Sequence, residues 1–165
     1  METEQTFDQI AREFAPMINR IVCSYEANSS LAEELVQEIY LALWRALPSF
    51  RGDASMRTFV ARIATNRALT HVARQMRLPL TVEVHCDVPA TDDNPEIGAL
   101  AASDRSWLVL AMRRLPLAYR QVATLTLEGL TTKEVAATLG ITTNAVTIRL
   151  SRAKNLLRES MGEDA

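Results

Sequence analysis

Between Thr143 and Asn155 the chain sets out, at helical intervals, side chains that can bond or touch nucleobases. A helix that turns Val146 inward and advances about 100° per residue points Asn144, Thr147, Ile148, Ser151, Arg152 and Asn155 the other way. Asparagine and arginine bond base edges or phosphates, threonine and serine do either, and an isoleucine can meet a thymine methyl. Arg149 and Lys154 fall nearer the flanks, where a phosphate contact suits them better, and Thr143 opens the stretch. The chemistry on offer is recognition of a polyanion with base edges in reach.

Bond-making chemistry has no comparable constellation. The histidines are His71 and His85, and the chain holds no glycine-rich phosphate loop and no clustered metal ligands, so neither an enzyme nor a cofactor or metal site is expected. Cys23 and Cys86 stand far apart, which suits packing thiols in a reducing compartment rather than a disulfide. The N-terminus lacks the basic start and apolar run of a signal peptide, and no stretch approaches the roughly eighteen apolar residues of a membrane span. A cytoplasmic protein without membrane insertion is the expectation.

A net charge of -2 looks wrong for a ligand of phosphates until its distribution is read. From Glu2 to Glu38 there are eight acids against two bases, whereas from Arg45 to Arg77 seven arginines face only Asp53. From Leu78 to Asp104 there are six acids and no base, and from Ile141 to Arg158 four bases and no acid. Two basic blocks alternate with two acidic ones, and the average hides both.

The elements that must carry these residues are helical, since 48% hydrophobic residues with 5% aromatics and five glycines suit helix packing better than a sandwich or barrel. Apolar spacing predicts helices over about 7–26, 31–47 and 55–77. Ser30-Leu31-Ala32-Glu33 has the form of a capping box for the second, and Pro48 ends it. Trp44 and Phe59 fit the apolar stripes of their helices and are assigned to the core, with Met56, Val60, Ile63, Ala64, Leu69 and Val72 beside Phe59.

From Leu78 to Asp104 the periodicity fades among Pro79, Pro89 and Pro95, which predicts a flexible acidic linker with a short helical stretch near 97–102. The architecture expected is therefore all-α, with helical domains at 1–77 and 105–165 joined through 78–104.

In the second domain Pro116 stops one helix, a second runs over about 118–127 to Gly129, and Thr131-Thr132-Lys133-Glu134 is a capping box opening a third. A fourth extends over about 143–160. The pair at the end has the pattern of a helix-turn-helix: small Ala136 where the helices cross, Gly140 in the turn, and Val146 facing back, with Leu139, Ile141 and Leu150 as core contacts.

Beyond these patterns, the run Ala32-Glu33-Glu34-Leu35-Val36-Gln37-Glu38-Ile39-Tyr40-Leu41-Ala42-Leu43-Trp44-Arg45, with Phe50-Arg51-Gly52 and Arg62-Ile63-Ala64-Thr65-Asn66, resembles the promoter-melting domain of extracytoplasmic-function sigma factors. Leu115-Pro116, Glu128-Gly129-Leu130-Thr131, Glu134-Val135-Ala136, Leu139-Gly140-Ile141 and Val146 to Ala153 resemble the second domain of that family, in the right order. The resemblance implies that Glu34, Gln37, Glu38 and Arg45 face the clamp helices of bacterial RNA polymerase core. It implies that Phe50, Arg51, Gly52, Asp53, Ser55, Arg57, Arg62 and Asn66 take up a flipped base and single-stranded DNA at the minus-ten element. It further implies that Thr143, Asn144, Thr147, Ile148, Arg149, Ser151, Arg152 and Lys154 read an upstream duplex element, and that an anti-sigma factor is a partner. No obligate homo-oligomer is implied. Two other readings stay open: a sigma-like decoy that binds an anti-sigma factor without DNA, and a helix-turn-helix repressor with a ligand-sensing N-terminal domain.

Overall fold

The computed structural model describes residues 2–77 and 95–163, and all regular elements among them are helical. The chain divides into two compact units, one on each side of the bond between Cys86 and Asp87. Residues 78–94 of the expected linker, with His85 and Cys86, lie outside the described residues.

In the first unit α1 (Glu2–Tyr25), α2 (Ser29–Ala46) and α3 (Met56–Gln75) pack mutually, each against the other two. Met17, Ile18 and Ile21 from α1 and Leu35, Ile39 and Leu43 from α2 are all fully buried. Each such side chain contributes about 1.5–3 kcal/mol relative to exposure.

The buried stripe of α3 differs from the one expected. It consists of Thr58, Val60, Ala61, Ala64, Thr65, Ala68 and His71, while Met56, Phe59, Ile63, Leu69 and Val72 are only half-buried. Because α3 packs on both other helices, alanines at 61, 64 and 68 let the backbones approach closely and push the larger side chains to the flanks.

Trp44 is likewise not a core residue. It is 51% exposed, because the buried line of α2 runs through Ala32, Leu35, Ile39 and Leu43, and position 44 stands about 100° past Leu43. The cap of α2 is also earlier than the expected box: Asn28 Oδ1 accepts from the Leu31 N–H at 3.1 Å, which puts Ser29 and Ser30 inside the first turn.

The second unit comprises α4 (Pro95–Arg114), α5 (Leu117–Leu127), α6 (Thr132–Leu139) and α7 (Thr143–Glu163). Residues 95–104, expected to hold only a short helical stretch near 97–102 within the linker, are helical throughout and begin α4. Proline is favourable at a first helical position, where its missing N–H would have had no partner, so Pro95 opens the helix rather than excluding one.

Met112, Leu115, Ala123 and Ala153 form a buried cluster edged by Leu108, Tyr119, Leu156 and Leu157, so α4, α5 and α7 share one core. At the corner between α4 and α5, the Arg120 guanidinium donates to the carbonyls of Arg113 and Leu115, which would otherwise end α4 unsatisfied.

Candidate nucleic-acid interface

The local chemistry that presents α7 begins one helix earlier. Thr131 Oγ1 accepts from the Glu134 N–H at 3.3 Å and Glu134 Oε2 accepts from the Thr131 N–H at 2.7 Å, closing the expected capping box on α6. The helix ends at Gly140, whose φ of 67° is left-handed and costs glycine little. The Ile141 N–H bonds back to the Ala136 carbonyl, and Thr142 Oγ1 accepts from the Ala145 N–H to cap α7.

Ala136 and Val146 are buried on either side of this turn, and Ala153 further along α7 is buried in the core with Met112, Leu115 and Ala123. The opposite side of α7 is open: Thr143, Asn144, Thr147, Ile148, Ser151, Arg152, Lys154 and Asn155 are all exposed. Arg149 is half-buried on the flank. Thr132 at the start of α6 joins Thr147, Leu150, Ser151, Lys154, Asn155 and Arg158 in lining a groove along the helix. Arg152 reaches the Tyr119 hydroxyl of α5 at 3.5 Å, and Thr147 donates its hydroxyl to its own helix at the Thr143 carbonyl.

In the first unit the loop before α3 is ordered by its own residues. Gly52 takes a φ of 79°, and Ser55 caps α3 by accepting from the Thr58 N–H at 3.2 Å. The Phe50 ring packs on Phe59 with centroids 4.8 Å apart and planes tilted by 51°.

Ser55, Phe59, Arg62 and Asn66 recur at intervals of four, three and four residues, so one side of α3 carries an aromatic pair, a cation and an amide. Arg51, Gly52, Asp53, Arg62 and Asn66 are exposed. Ser55 and Arg57 are exposed as well, and the Arg57 guanidinium lies over the Phe14 ring at 5.9 Å and reaches Met17 Sδ at 3.8 Å, holding α3 to α1.

On α2, Glu34, Gln37 and Arg45 are exposed. Glu38 is paired with Arg74 of α3 at 3.4 Å, an exposed bond that turns it toward its own unit. The sequence reading missed Leu41 and Trp44, which are 48% and 51% exposed and flank Gln37 and Arg45 on the outer side of the helix. The signal was available, since both stand off the Leu35–Ile39–Leu43 line.

A recognition helix held out on a capped turn, in a chain with a separate three-helix unit, defines a helix-turn-helix protein of two helical modules. Residues 10–78 match the family Sigma-70 region 2, and residues 105–157 match Sigma-70, region 4. The chain is 29% identical over 161 residues to the ECF RNA polymerase sigma factor SigE of Mycolicibacterium smegmatis, covering 96% of this chain and 62% of that relative's length. It is 27% identical over 165 residues to the ECF RNA polymerase sigma-E factor of Escherichia coli, covering 93% and 85%.

Among solved structures, the sigma factor RpoE in complex with the anti-sigma factor NepR from Bartonella quintana shares the fold with a TM-score of 0.77 at 20% identity, over 98% of this chain and 99% of that one. CnrH in complex with the cytosolic domain of CnrY does so at 0.72 and 21%, over 98% and 91%. The chain belongs to the sigma-70 family, in its extracytoplasmic-function group.

Proposed function

We propose that the protein is an alternative sigma factor, which binds bacterial RNA polymerase core and directs it to promoters that it recognises and helps to melt. The observation that carries this reading is the pairing of two open faces in one chain. Along α7 the residues suited to duplex DNA are exposed, while Val146 and Ala153 anchor the helix; along α3 the Phe50–Phe59 pair adjoins Arg62 and Asn66.

In this reading residues 1–77 form the core-binding and promoter-melting domain, with Glu34, Gln37 and Arg45 on the polymerase face and Leu41 and Trp44 supplying its apolar contact. Phe50, Arg51, Gly52, Asp53, Arg62 and Asn66 take up the unpaired minus-ten strand, where aromatic faces and positive charge suit single-stranded DNA. Ser55 and Arg57 act one step back, as the cap and the anchor of α3. Residues 105–165 bind the upstream duplex through Thr143, Asn144, Thr147, Ile148, Ser151 and Arg152, with Arg149 and Lys154 on phosphates. The acidic segment between them, within 78–104, is a tether.

The protein works in the cytoplasm, without catalytic activity, cofactor or obligate self-association. Among the described residues no helix is long and apolar enough to cross a membrane. An anti-sigma factor is the natural inhibitor in this reading, supported by the solved neighbours, which were captured with such partners or with a cytosolic domain.

The test is to add the purified chain to bacterial core polymerase and assay transcript from a candidate promoter. Transcript that depends on both is expected. A stable complex that never initiates would make the chain a decoy, and tight promoter binding without polymerase would make it a repressor.

A further inference from the structure

Two neighbouring positions on the open side of α7 offer a groove no free hydrogen-bond donor. Ile148 is 44% exposed. Thr147 is exposed too, and its hydroxyl proton is spent on the Thr143 carbonyl at 3.1 Å, so toward a ligand the side chain presents its γ-methyl and an oxygen that can only accept. An exposed isoleucine alone would need no explanation. Beside a threonine whose hydroxyl is turned in, on the first turns of a recognition helix, it makes a continuous apolar step.

The arginines stand elsewhere. Arg149 is half-buried on the flank, and Arg152, two turns in, leans to Tyr119. The start of α7, the part of a recognition helix that contacts base edges, therefore combines Asn144 with two methyl-bearing side chains. A guanine edge shows two acceptors that suit arginine or lysine. An A·T pair shows an acceptor and donor that suit asparagine, and a thymine C5-methyl that suits an apolar contact.

We propose that the first turns of α7 read consecutive A·T pairs, with the Thr147 γ-methyl and Ile148 packed on the C5-methyls of adjacent thymines and Asn144 bonded to an adenine. This rests on the reading of the chain as a promoter-recognition factor, and names the sequence class of the duplex that it takes.

The test uses the full chain with bacterial core polymerase and a duplex library randomised upstream of a melted start region. Enriched duplexes are sequenced, and each thymine of the enriched element is then replaced by deoxyuridine, which removes only the methyl. Thymines at two adjacent positions are expected, with affinity falling about fourfold for each methyl removed. Ile148→Ala abolishes the thymine-over-uracil preference at one position. Thr147→Ser, which retains the hydroxyl bond to Thr143 and loses the methyl alone, abolishes it at the other.

Enriched G·C pairs at these positions, or equal affinity for thymine and uracil in the wild-type chain, would overturn the proposal while leaving promoter recognition in place. Enrichment of no element at all would overturn both.

Discussion

His71 Nε2 lies 2.6 Å from Glu26 Oε2, and through this contact α3 is bonded to the corner between α1 and α2. The other Glu26 oxygen accepts the Asn28 N–H at 2.9 Å, and Asn28 caps α2. A single carboxylate thus links α1, α2 and α3, and its side chain is only 13% exposed. Burial pushes the Glu26 carboxyl up. The His71 hydrogen bond, the Asn28 N–H, the attraction of His71 and the Ala27 N–H outweigh burial and hold the group below the usual carboxylate range.

A carboxyl with a folded pKa below its unfolded value, about 4.3, stabilises the fold above that value and ceases to as pH falls through the folded one. Acidification below about pH 4.3 is therefore expected to remove stability from the first unit. Glu26→Gln is expected to cost about 1–3 kcal/mol at pH 7 and to flatten that part of the profile. Urea unfolding at pH 7 and below pH 4, followed by circular dichroism, checks this; a variant with the wild-type acid dependence would contradict it.

Leu43 and Trp44 are sequence neighbours in opposite environments, one fully buried and the other 51% exposed. Leu43 is fully buried, so Leu43→Ala is expected to cost about 2–5 kcal/mol of stability. Trp44→Ala is expected to leave the thermal midpoint nearly unchanged and to weaken core polymerase binding by about 2 kcal/mol, or about thirtyfold. Calorimetric unfolding and titration with fluorescently labelled core separate the two effects.

Gly140 sets the turn into α7 by its positive φ, and a Cβ added there meets nothing within 4 Å. The cost of Gly140→Ala is thus conformational, about 1–2 kcal/mol, and Gly140→Asn is expected to recover much of it. A thermal shift without recovery by asparagine would place the cost in packing instead.

Asn66 is exposed on the side of α3 that carries Phe59 and Arg62, with no role in the core. Asn66→Ala is expected to impair open-complex formation by about tenfold or more, the loss of one or two hydrogen bonds to charged or base groups, while core binding is retained. Permanganate reactivity of melted thymines, set against native-gel binding of core, measures both. Equal losses would argue against a place for Asn66 on the unpaired strand.

Much of this was legible in the residues because local rules agreed with the fold. Thr131, Glu134, Gly140 and Val146 announce the helix-turn-helix through capping, a left-handed turn and helical spacing, and these depend on few distant contacts. The face of α7 followed from Val146 alone.

The sequence reading failed where tertiary packing chose between equal candidates. Apolar spacing places Phe59 in the inward stripe of α3 and not Ala61, yet close packing against two helices buries the alanine and leaves the phenylalanine half-buried. Trp44 fits the apolar stripe of α2, yet it stands off the buried line through Leu35, Ile39 and Leu43 and is exposed. The contacts of Arg57 with Met17 and of Glu38 with Arg74 span 40 and 36 residues, and no local pattern encodes such pairings.

The central claim, that two helical units read separate parts of one promoter while polymerase holds them, is tested most directly by mapping transcription start sites after overexpression of the wild-type chain and of Arg152→Ala. The wild type is expected to create new starts that share two upstream elements at a fixed spacing, and Arg152→Ala to lose those starts. New starts that share only one element, or none that depend on the chain, would contradict the account.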